Sequence, residues 1–260
     1  MSFWALKLEY DGTPFVGWQR QDNGISVQQV LEEAASRLFG GIVPEVVVAG
    51  RTDAGVHASA QFARMKLPES HAERYSAYQM LAGLNFHMKP HPVVVVRAAP
   101  APLGWNPRFS ALRRSYRYLI LNRPARPVLA ADRVWHVKKP LDAEAMHRAA
   151  QSLTGRHDFT SFRAAACQAK SPLRTLDLLS VRREGELLAI EAEARSFLHH
   201  QVRNMVGTLK LVGDGSWPES RVAAALAARD RAAAGPTAPP EGLTLAGIHY
   251  DPDPFETFAG

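Results

Sequence analysis

One cysteine, Cys167, occurs among 260 residues, so no disulfide can form within the chain. Zinc sites need clustered ligands, and His57, His157 and the His199-His200 pair share no such spacing with cysteines or carboxylates. No metal is expected. A G-x-S-x-G elbow and a phosphate-cradling glycine loop are both missing, which argues against a triad hydrolase and against nucleoside-triphosphate chemistry. No apolar run approaches the length of a membrane span, so no membrane partner is expected. The first ten residues carry Lys7 and Glu9 inside their apolar stretch and no small-residue cleavage site, unlike a secretory signal. A cytoplasmic setting is expected.

What is present is a globular composition. Hydrophobic residues make up 46% of the chain, enough to bury a sizeable core in one large domain or two small ones. Lys and Arg number 31 against 25 Asp and Glu, and this excess of six positive charges favours polyanionic partners.

Periodicity supplies the elements. Residues 3–10 alternate Trp4, Leu6, Leu8 and Tyr10 against Lys7 and Glu9, the period of a half-buried strand. Ser26 with Gln29 reads as a capping box opening a helix whose stripe is Val27, Val30, Leu31, Ala34, Ala35, Leu38 and Phe39, stopped by Gly40-Gly41. Strands are expected at 45–50, 59–66 and 93–96, with a helix at 73–84. A proline-rich stretch, 92–107, suggests a boundary between residues 1–104 and 105–260. The second half offers a strand at 115–121, helices at 143–153, 197–212 and 221–228, a hairpin turning at Glu184-Gly185, and a last strand at 246–250. The order predicts an α+β fold of two similar mixed halves, ferredoxin-like, sharing a largely antiparallel sheet with helices on one face.

Three segments could carry chemistry. Gly50-Arg51-Thr52-Asp53-Ala54-Gly55-Val56-His57 follows an apolar strand, and strand-end loops commonly present reactive groups. Arg51 could keep Asp53 ionised there, although a turn with a surface Arg/Asp pair fits the same spacing. In the helix at 197–212, the face opposite the apolar stripe shows His200, Arg203, Asn204 and Gly207. A mid-helix glycine costs about 1 kcal/mol against alanine and signals the close approach of something, whether a ligand or another segment of the fold. Arg113, Arg114 and Arg117 interleave with Tyr116 and Tyr118 on one strand. That pattern suits RNA phosphates and a stacked base, or equally a sheet with tyrosines inward and arginines in water.

These residues resemble the tRNA pseudouridine synthase A family from about Lys7 to Tyr250. Glu9-Tyr10-Asp11-Gly12-Thr13-Pro14-Phe15-Val16-Gly17-Trp18-Gln19-Arg20-Gln21 is similar to its opening motif, and Gly50 to His57 to its catalytic loop. Phe109-Ser110-Ala111 with Tyr116-Arg117-Tyr118, Phe159-Thr160-Ser161-Phe162, His199 to Gly207, and Glu241-Gly242-Leu243 match in order. Ala60, Asn106-Pro107 and His91-Pro92 depart from it. The resemblance implies a pseudouridine synthase fold, catalysis by Asp53, Arg203 and Tyr116, and substrate contacts from Arg51, Arg113, Arg114 and Leu243. It also implies action without cofactor on uridines 38, 39 and 40 of the tRNA anticodon stem-loop, by a homodimer. The alternatives are a non-catalytic tRNA-binding or folding protein, and a synthase acting at other RNA sites.

Overall fold

In a computed structural model describing residues 2–71 and 74–256, β1 (Phe3–Tyr10) keeps the alternation of its sequence, with Trp4, Leu6, Leu8 and Tyr10 buried and Glu9 exposed. Helix α1 (Val27–Leu38) starts where Ser26 Oγ accepts the Gln29 backbone N–H at 3.1 Å. Only half of the expected capping box forms, because the Gln29 side chain donates forward to Glu33 instead. Then come β2 (Val46–Val48), β3 (His57–Lys66), α2 (Ala77–Met88) and β4 (Val93–Pro100).

The helix expected from residue 73 begins at Ala77, and Glu73 lies outside the described residues. Its start is fixed by a full box, in which Ser76 Oγ accepts from Gln79 N–H and Gln79 Oε1 accepts from Ser76 N–H. Strand β4 runs through much of the proline-rich stretch. Where its ladder to β1 slips between Lys7 and Leu8, the Asn85 amide takes over both the N–H and the C=O of Val95, at 2.7 and 2.9 Å.

The chain forms two compact units. The first holds the described residues through Leu112 and from Leu245 onward. Its strands lie in the order β4-β1-β3-β10, with β2 beside β3, where β10 is Leu243–His249 and belongs to this unit from Leu245 on. The pairs β1–β3, β1–β4 and β2–β3 are antiparallel. Helix α1 packs on α2 and α2 on β4. After β10 the chain brings Tyr250 and Phe255 onto Phe62, ring centroids 5.0 and 5.8 Å away, in a cluster with Ala5, Ala60 and Trp105.

The second unit spans Arg113–Thr244. It contains β5 (Arg113–Asn122), β6 (Trp135–Val137), α3 (Ala143–Gln151), β7 (Gly155–Asp158), β8 (Leu173–Glu184), β9 (Leu187–Ala194), α4 (Gln201–Gly213) and α5 (Ser220–Ala228). Strand order is β5-β9-β8-β7, all antiparallel, while β6 joins β5 in parallel. The mixed α+β class and the largely antiparallel pairing expected from periodicity are both present. Strands β6 and β7 were not expected; three residues, and the polar run Gly-Arg-His-Asp, are too short and too polar to show alternation. Helix α4 begins at Gln201 rather than 197 because His200 sits in the left-handed region (φ 61°), which interrupts the helix there.

Among the described residues no helix is long and apolar enough to cross a membrane.

Candidate active site

The loop carrying Asp53 is held from both sides by its own unit. Tyr10 Oη lies 2.8 Å from Thr52 Oγ1, and Gln61 Nε2 donates to the Gly50 carbonyl at 2.8 Å and lies 3.3 Å from Tyr10 Oη. All three side chains are buried. Burial pushes the Tyr10 phenol up to about 12, against the opposing pull of its bonds to Thr52 and Gln61, so it stays neutral near pH 7. On the other side, residues 12–18 fold over the loop. The Trp18 N–H donates to the Thr52 carbonyl at 3.0 Å, the Gly55 N–H to Phe15 at 3.3 Å, and the Gly12 N–H to His57 Nδ1 at 3.0 Å. Gly17, at φ 111°, lies so close that a Cβ there would stand 2.8 Å from the Thr52 carbonyl oxygen.

Asp53 itself is half-buried between buried Thr52 and exposed Ala54. Its backbone carbonyl accepts the Val56 N–H at 3.1 Å, closing the turn. Arg51 is exposed. Sequence reasoning found the loop but missed its supports. Tyr10 reads as one more apolar position of a strand, and Gln61 as one of several polar residues in β3, so neither signals a buried polar partner.

In the second unit, α4 carries Arg203, Asn204 and Gly207, and what approaches this face closely is the chain itself. A Cβ on Gly207 would stand 1.8 Å from the Pro236 carbonyl oxygen. Arg203 Nε donates to the Ala238 carbonyl at 2.8 Å, and the Arg203 carbonyl accepts the Ala238 N–H at 3.1 Å. Asn204 Oδ1 accepts from Thr237 Oγ1 at 2.7 Å, and Thr208 Oγ1 accepts the Gly235 N–H at 2.9 Å. Residues 235–238 are thereby strapped along α4. The strap leads to the short turn Pro240–Gly242 and then to Leu243, 5% exposed.

Tyr118 supports that turn from below. It is fully buried, its hydroxyl donates to the Pro239 carbonyl at 2.8 Å, and a Cβ on Gly242 would come within 2.6 Å of its ring. Burial raises its phenol far above the usual range, Glu241 adds to the rise, and Arg203 opposes it. Arg203 and Glu241 therefore share one neighbourhood.

Tyr116, two residues earlier, is half-buried with its ring edge-on to Phe197, centroids 5.2 Å apart at 89°. Its strand neighbours divide. Arg113 is exposed and lies 3.3 Å from Glu193; Arg114 is 7% exposed and its guanidinium donates to the Arg195 carbonyl. Asn106, where the chain departs from the family pattern, uses its side-chain oxygen on the N–H groups of Arg108 and Phe109, fixing the turn before the strand.

Similarity to known proteins bears on this arrangement. The profile of a family described as tRNA pseudouridine synthase matches residues 149–251. Over 256 residues the chain is 70% identical to a protein of Acidiphilium cryptum named tRNA pseudouridine synthase A, covering 98% of this chain and 99% of that protein. A protein of the same name from Rhodospirillum centenum is 62% identical, with 96% of this chain and all of that protein covered. One from Gluconobacter oxydans is 54% identical over 97% of this chain and 91% of its own length.

Proposed function

The chain belongs to the tRNA pseudouridine synthase A family, and on that premise we propose that it isomerises uridine to pseudouridine at positions 38, 39 and 40 of the tRNA anticodon stem-loop. The observation that carries this reading is the 70% identity spread over 98% of the chain. In the reaction the bond from ribose C1′ to uracil N1 breaks, the base turns, and C1′ joins C5. C5 gives up its proton and N1 ends with one. Substrate and product contain the same atoms, so neither an electron carrier nor a group donor is required.

A single carboxylate suffices for such chemistry. Asp53 attacks C1′ or stabilises its oxocarbenium character, as glycosidase carboxylates do. The turn at residues 50–56 suits this task, because its clamps hold the backbone while leaving Asp53 at the half-exposed apex. Arg203 supplies the positive charge that keeps the carboxylate ionised, and its bond to the Ala238 carbonyl fixes the direction of its guanidinium. The target base leaves its stack at a cost of a few kcal/mol, which stacking on Tyr116 and contact with Leu243 offset. Arg51, exposed beside the loop, and Arg113 face the polyanionic backbone. Arg114, mostly buried, acts on RNA through the Arg195 segment it holds. The enzyme works as a cytoplasmic homodimer.

The test is a map of pseudouridine in tRNA from cells lacking the protein and re-supplied with wild type or Asp53→Asn. Loss at 38, 39 and 40, restored only by wild type, supports the reading. Modification restored by Asp53→Asn would show that the protein acts without this carboxylate, as a binding or folding factor would.

A further inference from the structure

We infer that Arg156, Arg174 and Arg195 form a subsite for a backbone phosphate of the RNA, reached through the Arg195 segment that Arg114 holds. Strands β7 and β8 pair Arg156 opposite Thr175 and His157 opposite Arg174, and β8 pairs Leu176 with Ala194, the residue before Arg195. Neighbouring strand ends thus bring the three arginines to one open pocket of about 250 Å³, with Thr175, Ser196 and Asp177 also on its wall. Three guanidinium groups face one carboxylate, leaving two positive charges.

On the adjoining strands, by contrast, several arginines are paired. Arg113 lies against Glu193 at 3.3 Å, Arg117 against Glu184 at 3.4 Å, Arg182 against Glu184 at 2.8 Å and Glu191 at 3.0 Å, and Arg123 against Glu186 at 2.8 Å. Among the described residues Arg156, Arg174 and Arg195 have no carboxylate at ion-pair distance. Like charges held together without a counter-ion repel, so three convergent arginines beside strands on which Arg113, Arg117 and Arg182 are ion-paired are arranged for an anion supplied from outside.

Arg174 is the fixed member. Its Nη1 donates to the carbonyls of Ser171 and Leu173 at 3.0 and 2.6 Å, while its Nε–H is buried without a hydrogen-bond partner. A buried unsatisfied donor on a cation is costly unless an acceptor completes it, and a phosphate oxygen is the strongest acceptor that RNA offers. Burial also holds the Arg174 guanidinium below its usual range, which a bound anion would reverse. Exposed Arg156 and Arg195 provide the adaptable arms, and Ser196 and Thr175 provide hydroxyl donors.

The position of the pocket selects which phosphate. Arg195 accepts the Arg114 guanidinium on its carbonyl, and two residues on, Phe197 meets the Tyr116 ring. One short run, 195–197, therefore joins the pocket to the aromatic that stacks the target base. The occupant is a phosphate near the flipped nucleotide. This step rests on the RNA reading proposed above.

The test measures tRNA affinity across a salt series for wild type, Arg156→Ala/Arg195→Ala and Asp177→Asn, with tRNA pseudouridine formation assayed on the same samples. Both arginines are exposed, so the double variant keeps the fold. It should flatten the log–log salt slope by about 0.7 to 0.9, one phosphate's worth of released counter-ion, and its loss should fall on KM more than on kcat. Asp177→Asn should tighten binding. Inorganic phosphate should compete only weakly, because a free ion lacks the neighbouring contacts of the chain. A double variant with wild-type slope and KM would overturn the subsite, as would tight inorganic phosphate binding that leaves tRNA affinity untouched. If wild type shows the slope difference yet forms no pseudouridine, the enzymatic reading fails and the phosphate subsite stands.

Discussion

The hydroxyls of Tyr10 and Thr52 lie 2.8 Å apart in the interior, 42 residues apart in sequence and one residue before Asp53. Because burial raises the Tyr10 phenol to about 12, the pair also couples stability to pH. Below pH 10 the phenol is neutral in folded and unfolded chains alike, and its contribution is complete. From about pH 10 upward the unfolded chain loses the proton while the folded one retains it, so stability falls, by about 2 kcal/mol at pH 12. Tyr118, also raised, falls in the same direction. Tyr10→Phe should lose about 1 kcal/mol near neutral pH yet show a shallower decline above pH 10 in urea titrations. A decline as steep as wild type would remove Tyr10 as its source.

Asp53→Asn should abolish pseudouridine formation and leave tRNA affinity within about tenfold, or about 1.4 kcal/mol, since the carboxylate serves chemistry more than binding. Tritium release from labelled tRNA reads the first quantity and filter binding the second. Turnover near the wild-type rate would sink the assignment.

Arg203→Met should silence the enzyme, and Arg203→Lys should recover little. A lysine carries the charge but cannot both reach the Ala238 carbonyl through an Nε–H and present a planar second edge. If lysine restored most of the rate with an unchanged pH profile, charge alone would explain the residue.

At Gly17, alanine would combine a left-handed φ of 111° with a Cβ 2.8 Å from the Thr52 carbonyl oxygen. The expected cost is about 1–3 kcal/mol, with kcat falling more than tRNA affinity because the strain lands on the Asp53 loop. Equal losses in both would show that the clamp acts on the whole unit.

Gly207→Ala inverts the usual helix rule. On a free helix face alanine would gain about 1 kcal/mol, but here its Cβ would stand 1.8 Å from the Pro236 carbonyl oxygen. Net destabilisation of about 1–3 kcal/mol should lower the Tm by several degrees, at about 2–4 °C per kcal/mol. A raised Tm would mean that the strap at 235–238 yields without cost.

Residue spacing alone determined the features that depend on neighbours a few positions away. The alternation of Trp4, Leu6, Leu8 and Tyr10 specifies β1, the Val27 to Leu38 stripe specifies α1, and Glu184-Gly185 marks the β8–β9 turn. These signals are local because strand and helix periods repeat within ten residues or so. The ordered motifs likewise singled out the 50–57 loop. Tertiary structure decided whatever required a partner far along the chain. Only folding shows that Gly207 admits Pro236, that Gln61 and Tyr10 secure the Asp53 turn, and that Arg114, one of three similar arginines on a strand, is buried against Arg195. Which side chain a buried polar group meets, and which arginines lack a carboxylate, follows from how the strands register and where the strap lies. Those placements arise from packing summed over each whole unit, and no window of sequence contains it.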